Sequence, residues 1–150
     1  MRAVIQRIKK ASVKVGDKIV GQIGAGLVLL LGVGETDEKI KDEKIKIKNF
    51  AEKILNLRIF GDKEDKMNLS VLDVKGEILV IPQFTLYADC SKGNRPYFGQ
   101  AAKPEIAKPF FQKFVEELKK SNLRVESGIF GAKMEVELIN DGPVTLILDT

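Results

Sequence analysis

The stretch Pro82-Gln83-Phe84-Thr85-Leu86 places a polar amide and a hydroxyl two residues apart, directly after the apolar run Ile78-Leu79-Val80-Ile81. If the strand continues, Gln83 and Thr85 share one face and Pro82, Phe84 and Leu86 the other. Thr85 is of the residue type that serves as a nucleophile, but a threonine hydroxyl needs a base. The sequence contains no histidine. Ser-His-Asp and Cys-His catalysis within the chain are therefore excluded, as are histidine-ligated metal sites. The one cysteine, Cys90, excludes an internal disulfide and a cysteine-rich zinc centre. Any chemistry must use hydroxyls, carboxylates, lysines, backbone dipoles or the substrate itself, and no metal or cofactor is expected. The bland reading of the same alternation is an ordinary half-exposed strand.

A second unusual spot is Asn140-Asp141-Gly142-Pro143. Met134, Val136 and Leu138 alternate with glutamates before it, and Val144, Leu146, Ile147 and Leu148 resume an apolar run after it. The pattern predicts two strands joined by a turn. A proline after the glycine is odd there, because it removes an N–H donor from the returning strand. A third is the basic loop Lys92 to Arg95. The whole chain has 25 basic and 21 acidic residues, a net charge of +4. That balance is compatible with a polyanionic partner such as RNA, and equally with the lysine- and glutamate-rich surface of a heat-stable protein.

The elements that must position these residues follow from periodicity. Residues 2 to 15 read as a strand, Gly16-Asp17 as a two-residue hairpin turn, Lys18 to Ile23 as the returning strand, and Leu27 to Val33 as a buried central strand. Ile47, Phe50, Ala51, Ile54 and Leu55 form a helical stripe, with Asp37 and Glu38 expected at the helix start, where the dipole favours acids. Arg58 to Phe60 is a candidate short strand, and Gly61 to Asn68 a polar loop. Glu77 to Leu86 is predicted as a strand and Ala88 to Gln100 as a loop. A second helix carries Ala107, Phe110, Phe111, Phe114, Val115 and Leu118 on one face, the phenylalanines read as core. Pro104 suits its first turn, whereas Pro109 predicts a kinked start. The length of 150 residues fits one domain with a real core. The class is α+β, with a curved, largely antiparallel, barrel-like sheet and two main helices. No transmembrane helix or signal peptide is expected, and one unpaired cysteine suits a reducing cytoplasm.

Taken together, "PQFTLYAD…KGNRPYF", "NDGPVT", "MRAVIQRIKKASVKV", "IGAGLVLLLGV" and "RIFGDKEDKMNLSV" resemble the D-aminoacyl-tRNA deacylase family, formerly called D-tyrosyl-tRNA deacylases, in order, at suitable spacing and over essentially the whole chain. The family's hallmark strand is Ser-Gln-Phe-Thr-Leu. Gln83, Phe84, Thr85 and Leu86 match it, and Pro82 stands where the serine is, so no side-chain hydroxyl is available there. The family's Gly-cis-Pro falls on Gly142-Pro143; without the resemblance, a turn with trans proline is the alternative. "FGAKM" matches the segment lining the pocket for the substrate's 3′-terminal adenosine, which implies substrate-binding roles for Phe130, Ala132 and Met134. The resemblance implies a homodimer that hydrolyses D-aminoacyl-tRNA, with Gly142-Pro143 of one subunit entering the other's active site for chiral selection. It implies catalytic roles for Gln83, Phe84 and Thr85. Backbone N–H groups from Gln83 to Thr85 would bind the developing oxyanion, while water attacks with help from the vicinal ribose hydroxyl. Thr85 as nucleophile and a non-catalytic RNA-binding dimer are the alternatives.

Overall fold

The computed structural model describes residues 1–39 and 42–150, with Lys39 described by its backbone alone. In chain order the elements are β1 (Arg2–Val15), β2 (Lys18–Ile23), β3 (Gly26–Gly32), a 3₁₀ turn (Glu35–Lys39), α1 (Glu43–Leu55), β4 (Phe60–Gly61), β5 (Met67–Leu69), β6 (Glu77–Pro82), a second 3₁₀ turn (Phe84–Tyr87), α2 (Pro104–Lys119), β7 (Val125–Ser127) and β8 (Glu135–Asp149). Among the described residues no helix is long and apolar enough to cross a membrane.

β1 is long enough to serve two partners along one edge. Arg2 to Ile8 pair with β3 and Ala11 to Val15 with β2, both antiparallel, while the other edge pairs antiparallel with β8 from Arg2 to Lys14. β3 then pairs in parallel with β6, and β6 in parallel with β7. Parallel neighbours cannot be joined by a hairpin and need a crossover, which α1 and α2 supply. The result is α+β, a mixed sheet that is antiparallel around β1, parallel at β3–β6–β7 and nearly closed.

The closure explains why β3 and β6 read as continuous apolar runs: both of their faces are buried. Leu27, Leu29, Leu31, Ile78 and Val80 meet Phe50, Ile54, Phe114 and Leu118 of the helices. Val28, Leu79 and Ile81 meet Ile8, Ala11, Val13 and Ile23 on the inside of the curl. Phe114, fully buried, lies 5.8 Å from Phe50, ring centroid to centroid. Truncation of such a ring typically costs about 3–5 kcal/mol.

Several sequence expectations are corrected. Asp37 and Glu38 do not open α1; they belong to the 3₁₀ turn Glu35–Lys39, and Glu43 is the acid in the helix's first turn. Asp37 is buried and accepts from the Met1 amine at 2.7 Å, Lys46 Nζ at 2.8 Å and the Gly34 N–H at 2.8 Å. Burial opposes its ionisation, but these donors outweigh it and hold the carboxyl below its usual range. Only Phe60 of the predicted Arg58–Phe60 strand is in a strand, paired with Leu69 across the polar loop. Pro109, where a kinked start is expected, lies inside α2 and leaves the Glu105 carbonyl without its helical donor, which accords with that expectation without testing it. The remaining two corrections concern the site.

Candidate active site

The predicted strand through Leu86 ends early. Pro82 is the last residue in register with β3, opposite Leu31, and the Gln83 N–H still donates to the Leu31 carbonyl at 2.8 Å. The chain then coils into the turn Phe84–Tyr87, in which the Ala88 N–H donates to the Thr85 carbonyl at 3.0 Å. The first N–H groups of any helical turn lack an internal partner. Among the described residues neither the Phe84 nor the Thr85 N–H donates to an acceptor. The Gln83 amide nitrogen donates to Thr85 Oγ1, so the two polar side chains meet, though not as neighbours on a pleated strand.

Tyr87 anchors this turn. Its ring occupies the space in which side chains on Gly32 and Gly34 would begin: a Cβ on Gly34 would lie 2.7 Å from Cε1, and one on Gly32 3.2 Å from Cδ2. Arg2 lies over the ring, with Cζ 5.3 Å from the centroid. Arg2 also donates to the Leu86 carbonyl at 3.1 Å and to Asp149 Oδ1 at 2.8 Å. Burial first, then the nearby Asp37 carboxylate, push the Tyr87 phenol up to about 12, against the opposing pull of Arg2. The ring is therefore neutral at any working pH.

Beside the turn lies a pocket of about 680 Å³, bounded by the carboxyl ends of β3 and β6, the start of α2 and the segment from Phe130 to Val136. Gln83, Phe84, Phe130, Ala132 and Met134 all line it, as does Pro82. Its walls are mainly apolar; Gln83 and Lys103 are the polar side chains among the lining residues. Phe130 packs on Phe111 of α2 at 6.2 Å, and Phe84 meets Phe98 edge-on at 5.2 Å. Phe111 is thus core and pocket floor at once. The Met134 sulfur sits over Gly128, where a Cβ would approach it to 2.6 Å. Among the described residues no cluster of three or more Cys, Asp or Glu is placed to hold a metal ion.

The C-terminal reading of two strands joined by a turn is also corrected. β8 is one strand that keeps a single partner throughout: Gln6 faces Thr145 and Ile8 faces Asn140, so the residues between leave the ladder as a bulge without reversing the chain. The Gly142-Pro143 bond is cis, and Gly142 takes φ 136°. Asn140 Nδ2 spans the neck of the bulge, donating to the Arg7 and Val144 carbonyls, both at 3.2 Å. Arg7 braces the bulge from below, donating to the Asp141 carbonyl at 3.2 Å and to the Ile59 carbonyl. Gly142 and Pro143 are exposed and do not line the pocket of their own chain. Thr85 does not line it directly either, and reaches it through Gln83.

The family model described as D-Tyr-tRNA(Tyr) deacylase matches residues 4–149. The chain belongs to the D-Tyr-tRNA(Tyr) deacylase family. Among similar proteins, one from Thermosipho africanus and one from Fervidobacterium nodosum, both named D-aminoacyl-tRNA deacylase, are each 57% identical over 150 residues, covering 100% of this chain and 97% of theirs. A solved structure described as c-Myc DNA unwinding element binding protein is 41% identical with a TM-score of 0.88, over 100% of this chain and 99% of that one. A probable eukaryotic D-amino acid tRNA deacylase is 18% identical with a TM-score of 0.87 over 99% and 98%, which establishes the shared fold.

For this member of the deacylase family, the structure gathers Gln83, Phe84, Phe130, Ala132 and Met134 around one pocket and leaves Gly142 and Pro143 elsewhere. Sequence reasoning missed the residues that hold these in place: Arg2, Arg7, Tyr87 and Asn140. Their partners are distant in sequence, and no local pattern marks them. The exception is Gly32-Val33-Gly34, where paired glycines after a buried strand signal a close approach by another group.

Proposed function

We propose that this chain hydrolyses the ester joining a D-amino acid to the 3′-terminal ribose of tRNA, releasing free D-amino acid and tRNA. The observation that carries the reading is the pair of N–H groups on Phe84 and Thr85, which donate to no acceptor among the described residues, beside a pocket lined by Gln83, Phe84, Phe130, Ala132 and Met134, in a chain of this family. The pocket's volume suits a nucleoside with its aminoacyl group. Phe130, Ala132 and Met134 would hold the adenosine. Water adds to the ester carbonyl, the Phe84 and Thr85 N–H groups stabilise the oxyanion, and the carbon–oxygen bond to the ribose breaks as that oxygen takes a proton relayed by the vicinal hydroxyl. One such donor is typically worth about 10²–10³ in rate. The Gln83 N–H is spent on Leu31 and takes no part. Thr85 serves as a positioning group, because the partner of its hydroxyl is an amide, which cannot act as a base.

In this reading the active unit is a cytoplasmic homodimer. The outer edge of β8 pairs with no strand among the described residues, and it carries exposed Val136, Ile139, Leu146 and Ile147. A long apolar edge of this kind calls for a cover, and a second copy of the chain supplies one. Gly142-Pro143, on that strand, would enter the partner's pocket. Gly142 lacks a Cβ, so main chain there can approach the substrate's α-carbon and fill the space an L-side chain needs. A D-side chain would point to solvent, and glycine, with no Cβ to exclude, would be cleaved as well.

The test compares hydrolysis of D-Tyr-, L-Tyr- and Gly-tRNA. Cleavage of the first and third with sparing of the second is expected. Strong cleavage of L-Tyr-tRNA, or complete resistance of Gly-tRNA at high enzyme, refutes the steric account. Failure on D-Tyr-tRNA would favour a second reading, a non-catalytic nucleic-acid-binding dimer using Lys92 to Arg95, in line with the DNA-binding description of the 41% identical structure.

A further inference from the structure

We infer that Tyr97 is a stacking platform for an unpaired nucleobase of an RNA 3′ end, a nucleotide subsite outside the pocket and next to its mouth. The inference rests on the reading above, in which the terminal adenosine occupies the pocket, and it concerns the nucleotide that precedes that adenosine.

The loop after the Phe84–Tyr87 turn is built as a small hairpin. Asp89 and Tyr97 exchange both backbone hydrogen bonds, at 2.8 and 2.9 Å. At its far end the loop is tied to the end of β3, the Glu35 N–H donating to Gln100 and the Ala102 N–H to Val33, both at 2.9 Å. The backbone under Tyr97 is therefore fixed. So is its ring, which lies over Gly99 in the space a Cβ there would occupy. Among the described residues the ring's other side is open: Tyr97 is 68% exposed, although a phenol of that size normally buries most of its area. The next residue, Phe98, lines the pocket and meets Phe84, so the platform and the pocket share a wall.

Charge identifies the occupant. The tip of the hairpin carries Lys92 and Arg95, both exposed, and Lys103 stands on the pocket rim. Acidic groups on the loop are limited to Asp89, whose carboxylate is engaged by the Ser91 N–H at 2.9 Å. A rigid aromatic face beside cations is the arrangement that binds single-stranded nucleic acid, the bases stacking while the cations follow the backbone. An apolar protein partner would have no use for the cations.

Two assays test this. In the first, KM and kcat are measured on D-tyrosyl-tRNA and on D-tyrosyl-adenosine, which lacks the preceding nucleotides. Tyr97→Ala is expected to raise KM for the tRNA by about tenfold relative to its effect on the truncated substrate, and Tyr97→Phe, which keeps the ring, to behave as the parent. In the second, binding of the trinucleotide CCA is followed by calorimetry. Affinity should fall by a similar factor in Tyr97→Ala, and Lys92→Ala and Arg95→Ala should each lower the salt dependence by about one counterion. An equal loss on both substrates, or unchanged CCA affinity in Tyr97→Ala, overturns the inference. So does self-association lost in Tyr97→Ala with CCA binding intact, which would assign the patch to a second copy of the chain. If the parent fails to cleave D-tyrosyl-tRNA, the proposed activity falls, and the trinucleotide assay still decides this subsite.

Discussion

Consider Gly34→Ala, a change of one methyl group at a residue that does not touch the pocket. The added Cβ would lie 2.7, 2.8 and 2.9 Å from Cε1, Cζ and the hydroxyl oxygen of Tyr87. Carbon atoms in comfortable contact sit about 3.5–4.0 Å apart, so the ring must retreat by about 1 Å. A ring at the end of a free side chain would swing aside cheaply. This one is closed in by Gly32 along its other edge and by Arg2 across its face. The displacement therefore passes to the backbone of Phe84–Tyr87, the turn that presents the Phe84 and Thr85 N–H groups. Overpacking of this kind costs about 1–3 kcal/mol of stability. A 1 Å misplacement of reacting groups costs on the order of 10²-fold in rate. Gly34→Ala should thus lower kcat on D-Tyr-tRNA by tens- to about a hundredfold, with a modest fall in Tm. The double variant Gly34→Ala/Tyr87→Leu, which removes the clashing ring atoms, should recover the Tm lost to the clash but not the rate, because the ring that anchors the turn is gone. Full activity in Gly34→Ala at unchanged Tm would refute the claim that Tyr87 positions the turn. Recovery of full rate in the double variant would show that the ring is dispensable for placing the turn.

Thr85→Ala should reduce turnover by no more than about tenfold, the worth of a single neutral hydrogen bond, and mass spectrometry should find no aminoacyl adduct on the chain during turnover; a covalent ester on Thr85 would overturn water attack. Asp37→Asn strands the buried cations that Asp37 pairs with, and should cost about 3 kcal/mol or more in denaturant unfolding at pH 7. Because the Asp37 carboxyl is held below its usual value in the fold, its contribution is fully present above about pH 4 and fades as pH falls through the folded value. The variant's stability should accordingly change less with acid than the parent's, and an identical acid limb would count against the assignment. Sedimentation should find dimers at assay concentration, and Ile147→Lys, on the exposed edge of β8, should shift them toward inactive monomers; a fully active monomer would exclude a shared site.

The sheet and both helices were legible because period-2 and period-3.6 patterns survive wherever one face is buried. β3 and β6 were legible as central strands because apolar runs without alternation imply burial on both faces. The end of β6 was not, because Pro82 to Leu86 alternate apolar and polar residues as a strand would, while the chain has already left β3. What stops the strand is Tyr87 seated against Gly32 and Gly34, a contact between segments far apart in sequence. The bulge at Asn140 to Val144 imitated a hairpin turn for a related reason. Turn residues announce only that the chain leaves the ladder, and whether it returns to the same partner depends on β1. The pocket residues were found through the family resemblance, since Phe130, Ala132 and Met134 have no periodicity that separates them from any other loop.

The arrangement of β1 has a consequence for how the chain reaches its native state. One edge of this strand is satisfied early, by β2 and β3 that follow closely in sequence. The other edge waits for β8, and the bond from Arg2 to Asp149 joins residues 147 apart. Pairings of such separation are entropically slow to form and raise the contact order of the whole domain. During synthesis, β2 and β3 can pair with β1 along one edge, leaving the other edge open, while the rest of the polypeptide is still being made. That edge is the stretch most exposed to mispairing until β8 arrives. Its exposed basic side chains, Lys9 and Lys10, are the kind of charge that keeps an unprotected strand from pairing with a stranger.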